Sequence, residues 1–212
     1  MTSPLSLIRR AALGTTAVAA ALVLAACGSD NGSDTGSGTQ TSASAGAEDT
    51  VGAHNDQDVS FAQDMIPHHQ QAIQMSRMAA GQASSAEVKD LAARIEKAQE
   101  PEIETMSGWL ESWGEDVPSS MPGMDHGMED SGSSDMPGMM DTENMDELMD
   151  ASGKGFDTMF LTMMVEHHEG AVEMATTEKD KGRYGPAKKL ADDIITAQNA
   201  EIEEMNKLLG KS

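Results

Sequence analysis

FAQDMIPHHQQAIQM at residues 61–75 and FLTMMVEHHEGAVEM at residues 160–174 are two versions of one segment, offset by 99 positions. Phe61 falls on Phe160, Met65 on Met164, His68 and His69 on His167 and His168, Ala72 on Ala171, and Met75 on Met174. Downstream, Leu91, Ala92 and Ile95 meet Leu190, Ala191 and Ile194 at the same offset. Gln99, Glu102, Ile103, Glu104 and Met106 meet Gln198, Glu201, Ile202, Glu203 and Met205. Self-similarity at a fixed offset marks a duplicated structural unit. In the first copy Phe61, Met65, His68, Ala72, Met75 and Ala79 recur at alternating steps of four and three, the spacing of one helix face. Leu91, Ile95, Ala98, Glu102 and Met106 predict a second helix with its own inward stripe. Between these blocks, Arg77–Val88 and Thr176–Ala187 share nothing and carry Gly, Ser and Gly185-Pro186, which predicts a loop. Each copy is therefore a helix–loop–helix unit, and two of them predict an all-α four-helix bundle. Pro67 interrupts the first block, where the second has Glu166. The helix is expected to run through Pro67 with a kink; the alternative is that it begins there.

The chemistry lies on the same stripe. Met65 stands three residues before His68, so the two share a face, and the adjacent His69 diverges by roughly 100°. Met164, His167 and His168 repeat this arrangement. Imidazole suits copper, zinc, iron and nickel, whereas thioether selects Cu(I). The expected metal ligands are Met65, His68, His69 and Met75 in one half, and Met164, His167, His168 and Met174 in the other. A ferritin-type di-iron site needs Glu three residues before His. Met65 and Met164 occupy that place for the inner histidines, and Ile66 and Val165 for the outer ones. Plain packing explains most core methionines. It does not explain imidazole chosen twice at one register, because burying a polar ring is costly. Glu102 and Glu201, with Gln99 and Gln198, either hydrogen-bond the imidazoles and orient them or sit solvated at the edge of the stripe.

MIPHHQQAIQM, MMVEHHEGAVEM and the two AQ-x-x-EI-x-x-M segments resemble the DUF305 family over about residues 56–210. The resemblance implies a secreted bacterial helical bundle of ferritin-like type, in a family where some members bind copper or silver. Glu166 in place of proline and Gly170 in place of glutamine depart from the pattern and predict unequal halves.

Residues 1–26 pair Arg9 and Arg10 with a short apolar run that ends LAAC at Cys27, the only cysteine. This reads as a signal peptide whose end resembles a lipoprotein lipobox, implying lipidation of Cys27 and attachment to the outer face of the cytoplasmic membrane. Residues 27–55 are Gly-, Ser- and Asp-rich, so they read as a flexible tether with His54 a bystander at its edge. The first hairpin is expected over 56–114, an acidic Met-rich linker over 115–150 and the second hairpin over 151–212. The linker has eight Met between Met121 and Met149 and no Lys or Arg. Its Gly and Pro residues break regular structure except over Thr142–Asp150, where a helix is possible. Met121, Met124, His126, Met128, Met136, Met139 and Met140 are expected to be auxiliary ligands for a soft ion.

A net charge of -22 and 3% aromatic residues exclude a phosphate-binding or base-stacking surface, so nucleic acid is not an expected partner. The expected function is non-enzymatic: extracytoplasmic copper binding or buffering, with silver as surrogate and a metal-transfer protein or a second copy as candidate partner. The alternatives are a ferritin-like di-metal oxidase and a protein-interaction module without metal.

Overall fold

Asn55 accepts hydrogen bonds from the N–H groups of Gln57 and Asp58, and Asp58 accepts one from the Asn55 N–H at 2.6 Å. This reciprocal cap satisfies donors that a helix start leaves open, and it opens α1 (Asp56–Gln82). The computed structural model describes residues 52–119 and 136–211. After α1 come α2 (Ala86–Trp113), the short α3 (Thr142–Asp150), α4 (Gly153–Lys181) and α5 (Gly185–Leu208). No strand occurs among the described residues, only an isolated bridge between Ala83 and Gly153. No described helix is long and apolar enough to cross a membrane.

α1 packs on α2, α4 packs on α5, and the two hairpins meet through α1 and α4. The architecture is an all-α four-helix bundle with α3 laid across α1 and α4. Two apolar clusters fill it. One joins Met75, Leu91, Ile95, Phe156, Phe160, Met164 and Met205 with Met145 and Leu148 of α3. The other joins Phe61, Met65, Ile66, Met106, Leu110, Ala171, Ala175 and Ile194. Each cluster draws on all four long helices, so neither hairpin buries its apolar face without the other.

The loops are shorter than the sequence implies. They cover only 83–85 and 182–184. Residues 77–82 suit a helix, and Arg77 holds the turn by pairing with Glu96 at 2.7 Å and Glu100 at 3.0 Å on α2. α1 continues through Pro67, and α2 likewise continues through Pro101. The inward stripe of α2 also differs from expectation. Gln99 is buried and Ala98 exposed, and Gln198 and Ala197 repeat this in α5. His54 is no bystander: its ring stacks on Trp113 at 4.3 Å, beside Trp109 and Tyr184.

The two halves staple each other. Asp58 and Asp157 are 99 residues apart. Asp58 accepts from the N–H groups of Arg183 (3.0 Å) and Tyr184 (2.8 Å) in the α4–α5 loop. Asp157 accepts from the N–H groups of Ser84 (2.9 Å) and Ser85 (3.1 Å) in the α1–α2 loop, and from the Ser84 hydroxyl. Each carboxylate thus satisfies the open donors of the other hairpin's turn, and the contacts run α1 and α4 antiparallel. Burial pushes Asp58 upward, but hydrogen bonds from its neighbours hold it below the usual carboxylate value. Nearby Glu178 is fully buried, and burial together with the Asp58 carboxylate pushes it up to about 8.

Two outcomes follow for stability. Asp157→Ala removes charge-assisted bonds at a helix start and is expected to cost about 2–3 kcal/mol in urea unfolding, with Asp157→Asn losing less. Glu178 holds a proton in the folded chain that the unfolded chain releases above its ordinary value of 4.5. Its contribution is full below that value and declines as pH rises toward about 8. Glu178→Gln is therefore expected to match the parent near pH 4.5 and to melt higher than it near pH 8; equal melting at both pH values would contradict this.

Candidate metal centre

Where α1 crosses α4, His68 and His167 meet with ring centroids 3.7 Å apart and planes tilted by 36°. These are the inner histidines of the two repeats, and both are buried, as are His69 and His168. The duplicated motif places them so: each helix presents one imidazole to the other helix, and the next residue turns toward its own hairpin partner. His69 Nε2 donates to Glu102 Oε2 at 2.7 Å, and His168 Nε2 donates to Glu201 Oε2 at the same distance. The two carboxylates are only partly exposed, on α2 and α5.

A third Nε2 is held by the chain between the hairpins. His68 Nε2 donates to the Pro137 carbonyl at 3.1 Å. Residues 137–140 lie over the crossing. The Gln71 amide donates to the Met140 carbonyl and accepts from the Met140 N–H, both at 2.8 Å. Desolvation, followed by the nearby His69, pulls His68 down to about 3, and desolvation lowers His167 in the same direction. Both rings are neutral at physiological pH.

The layer is left with buried atoms that have no partner. They are Nδ1 of His68, His69, His167 and His168, Nε2 of His167, and amide atoms of Gln99 and Gln198. Interior polar groups are almost always hydrogen-bonded. Where Nε2 carries the proton to an acceptor, Nδ1 of a neutral ring is a bare lone pair, the form that binds a metal ion. This donor set fits a soft or borderline ion. No three His, Cys, Asp or Glu side chains are grouped for one ion among the described residues.

The expected ligands are distributed as follows. The structure brings His68 to His167 between the hairpins, so the inner histidines form one shared contact rather than two separate clusters. Met65 lies in one apolar cluster, and Met75 and Met164 lie in the other. Met174 is half-buried and lines a cavity of about 240 Å³ with Phe61, Asp64, Pro137 and Glu173. Gln99 and Gln198 are buried, while Glu102 and Glu201 sit at the edge and still reach the imidazoles. Met136, Met139 and Met140 are half-buried. Cys27, Met121, Met124, His126 and Met128 lie outside the described residues. The Pro137 carbonyl and Gln71 were not anticipated. The signal for Gln71 was the departure already visible at the matching Gly170.

Residues 58–209 match a family described as a domain of unknown function, DUF305. The chain belongs to the DUF305 family. Among solved structures it is similar to a DUF305 protein from Streptomyces coelicolor, with 35% identity, a TM-score of 0.64, and coverage of 73% of this chain and 93% of that one. It is also similar to CopM in its Cu(II)-bound form, with 39% identity, a TM-score of 0.60, and coverage of 72% of this chain and 95% of that one. CopM in its Cu(I)-bound and Ag-bound forms matches at 36% identity. No curated protein matches the chain.

In this DUF305 bundle an unpartnered His167 costs stability that an apolar ring would not. His167→Phe is expected to raise the melting temperature of the metal-free protein, by about 1 kcal/mol of added stability. The gain should grow as pH falls from the ordinary histidine value of 6.5, because the unfolded parent then takes up a proton that the folded parent refuses. A lower melting temperature in acid would contradict this account.

Proposed function

We propose that the protein is an extracytoplasmic, lipid-anchored metal-binding protein that binds or buffers copper as Cu(I), with Ag(I) as surrogate. The observation that carries this reading is the buried four-imidazole layer, whose Nδ1 atoms have no partner within the protein. Similarity to CopM, known in Cu(I)-, Cu(II)- and Ag-bound forms, supports the choice of metal. His68, His69, His167 and His168 supply nitrogen. Met65, Met75, Met164 and Met174 are the thioethers of the same repeats, and Met136, Met139 and Met140 are those of the crossing segment. A bound ion would take the place of the missing hydrogen-bond partners.

The role is carriage rather than catalysis. Both carboxylates of the layer, Glu102 and Glu201, are engaged by imidazole N–H groups. They orient the rings and raise their basicity as outer partners. The extracytoplasmic location rests on the signal-like residues 1–26 ahead of Cys27, and on the Streptomyces coelicolor relative being inferred to be secreted.

Titration of the chain with Cu(I) and Ag(I) under reducing conditions tests this. Binding is expected at micromolar affinity or tighter and should raise the melting temperature, since an ion that binds only the folded state stabilises it. Joint replacement of His68, His69, His167 and His168 by Ala should abolish the tight phase. Undiminished binding by that variant would remove the bundle from the function and leave only the Met-rich linker.

A further inference from the structure

At one of the positions where the two repeats differ, both versions touch the segment over the crossing. Gln71 and Gly170 are equivalent residues, 99 apart. Gln71 grips the Met140 backbone with both ends of its amide. At Gly170, a Cβ would lie 2.0 Å from the Pro137 carbonyl oxygen, so only glycine lets the segment descend there. Gly138, at φ 77°, rests against the backbone carbonyls of Glu166 and His167. One half of the duplication supplies a clamp and the other a cradle. Packing of α1 on α4 alone demands neither, because the equivalent residues differ while the surrounding motif repeats.

We propose that Gln71 and Gly170 are positioning residues: they seat residues 137–140 so that the Pro137 carbonyl fixes His68 as its Nε2–H tautomer and reserves Nδ1 for a soft metal ion. The proposal rests on the metal-binding reading above and adds the device that prepares one ligand for it. A neutral imidazole has one proton to place, and a carbonyl oxygen can only accept. A carbonyl 3.1 Å from Nε2 therefore puts the proton on Nε2 and leaves the lone pair on Nδ1. Glu102 and Glu201 do the same for His69 and His168. Three of the four rings then offer the same nitrogen, and neither nitrogen of His167 is committed to an acceptor at hydrogen-bond geometry within the protein. A backbone carbonyl achieves this at the centre of the layer without burying a charge, which a third carboxylate would do.

The test uses the full chain labelled with ¹⁵N-histidine and a long-range ¹H–¹⁵N correlation spectrum near neutral pH without metal. His68 is expected to be protonated at Nε2 and bare at Nδ1. Gly170→Ala lifts the segment and should give tautomer-averaged shifts at His68, while His69 and His168 keep theirs as internal references. Gln71→Ala, which adds no bulk to the helix crossing, should shift His68 in the same direction. Ag(I) affinity should fall by about tenfold in either variant, the lower end of what loss of an outer partner costs. A parent His68 protonated at Nδ1 overturns the proposal. So does an unchanged Nε2–H signal in both folded variants. If the tautomer moves as expected but no variant nor the parent binds Ag(I), the metal reading fails while the control of His68 by the segment stands.

Discussion

Two uncharged imidazoles pressed together in the buried core form the contact on which the rest of this molecule depends. His68 and His167 touch at the one place where the hairpins cross, and neither ring has its full set of partners. Such a layer weakens a core, since buried polar groups without hydrogen bonds cost free energy. The bundle tolerates it because the cost is confined. Apolar clusters drawn from all four long helices close the core, and Asp58 and Asp157 fasten each end of the α1–α4 pair to the opposite turn. Stability is concentrated around the layer and given up within it, as expected where a site rather than the fold selects the residues.

Duplication explains the frame, and the breaks in duplication explain the site. Asp58 and Asp157 serve the same purpose, as do Glu102 and Glu201, so the frame is reciprocal. Gln71 and Gly170 are not alike, and a single segment lies across them. A chain crossing an axis that relates two equal halves cannot bind both halves identically. The first half therefore grips backbone and the second half recedes from it. His68 acquires a partner through this asymmetry, and His167 does not.

The four helices and their pairing were legible because the motif repeats with helical spacing on both sides of a shared gap. The histidine–glutamate bonds were legible as one of two options for Glu102, since a carboxylate near an inward stripe needs a partner. Three things were hidden, each for a physical reason. The burial of Gln99 was half hidden, because the three-and-four spacing equally allows the neighbouring Ala98 on the inward stripe. Met145 reads as part of a Gly- and Pro-punctuated acidic stretch, yet it is core once α3 turns its apolar side to α1 and α4. Asp58 and Asp157 match at the repeat offset but lie outside the motif, and their partners are backbone N–H groups, which no side-chain pattern reveals. Non-local backbone contacts of this kind, including the Pro137 carbonyl, leave no trace in periodicity.

Selectivity in such a site comes from contrast between surface and interior. A net charge of -22 attracts every cation alike, so the acidic exterior concentrates ions without choosing among them. Under the proposed reading, choice is left to the histidine layer, which offers neutral imidazole and has Glu102 and Glu201 at its rim. A hard divalent ion would have to exchange a tightly held water shell for donors that return little of that energy. A soft monovalent ion loses water readily and gains most from nitrogen and sulfur. Under the proposed reading, the same neutrality by which His68 and His167 refuse a proton would admit a cation only when it brings bonds strong enough to replace its solvent. On that reading, the hydrogen bonds to Nε2 would leave Nδ1 to make them.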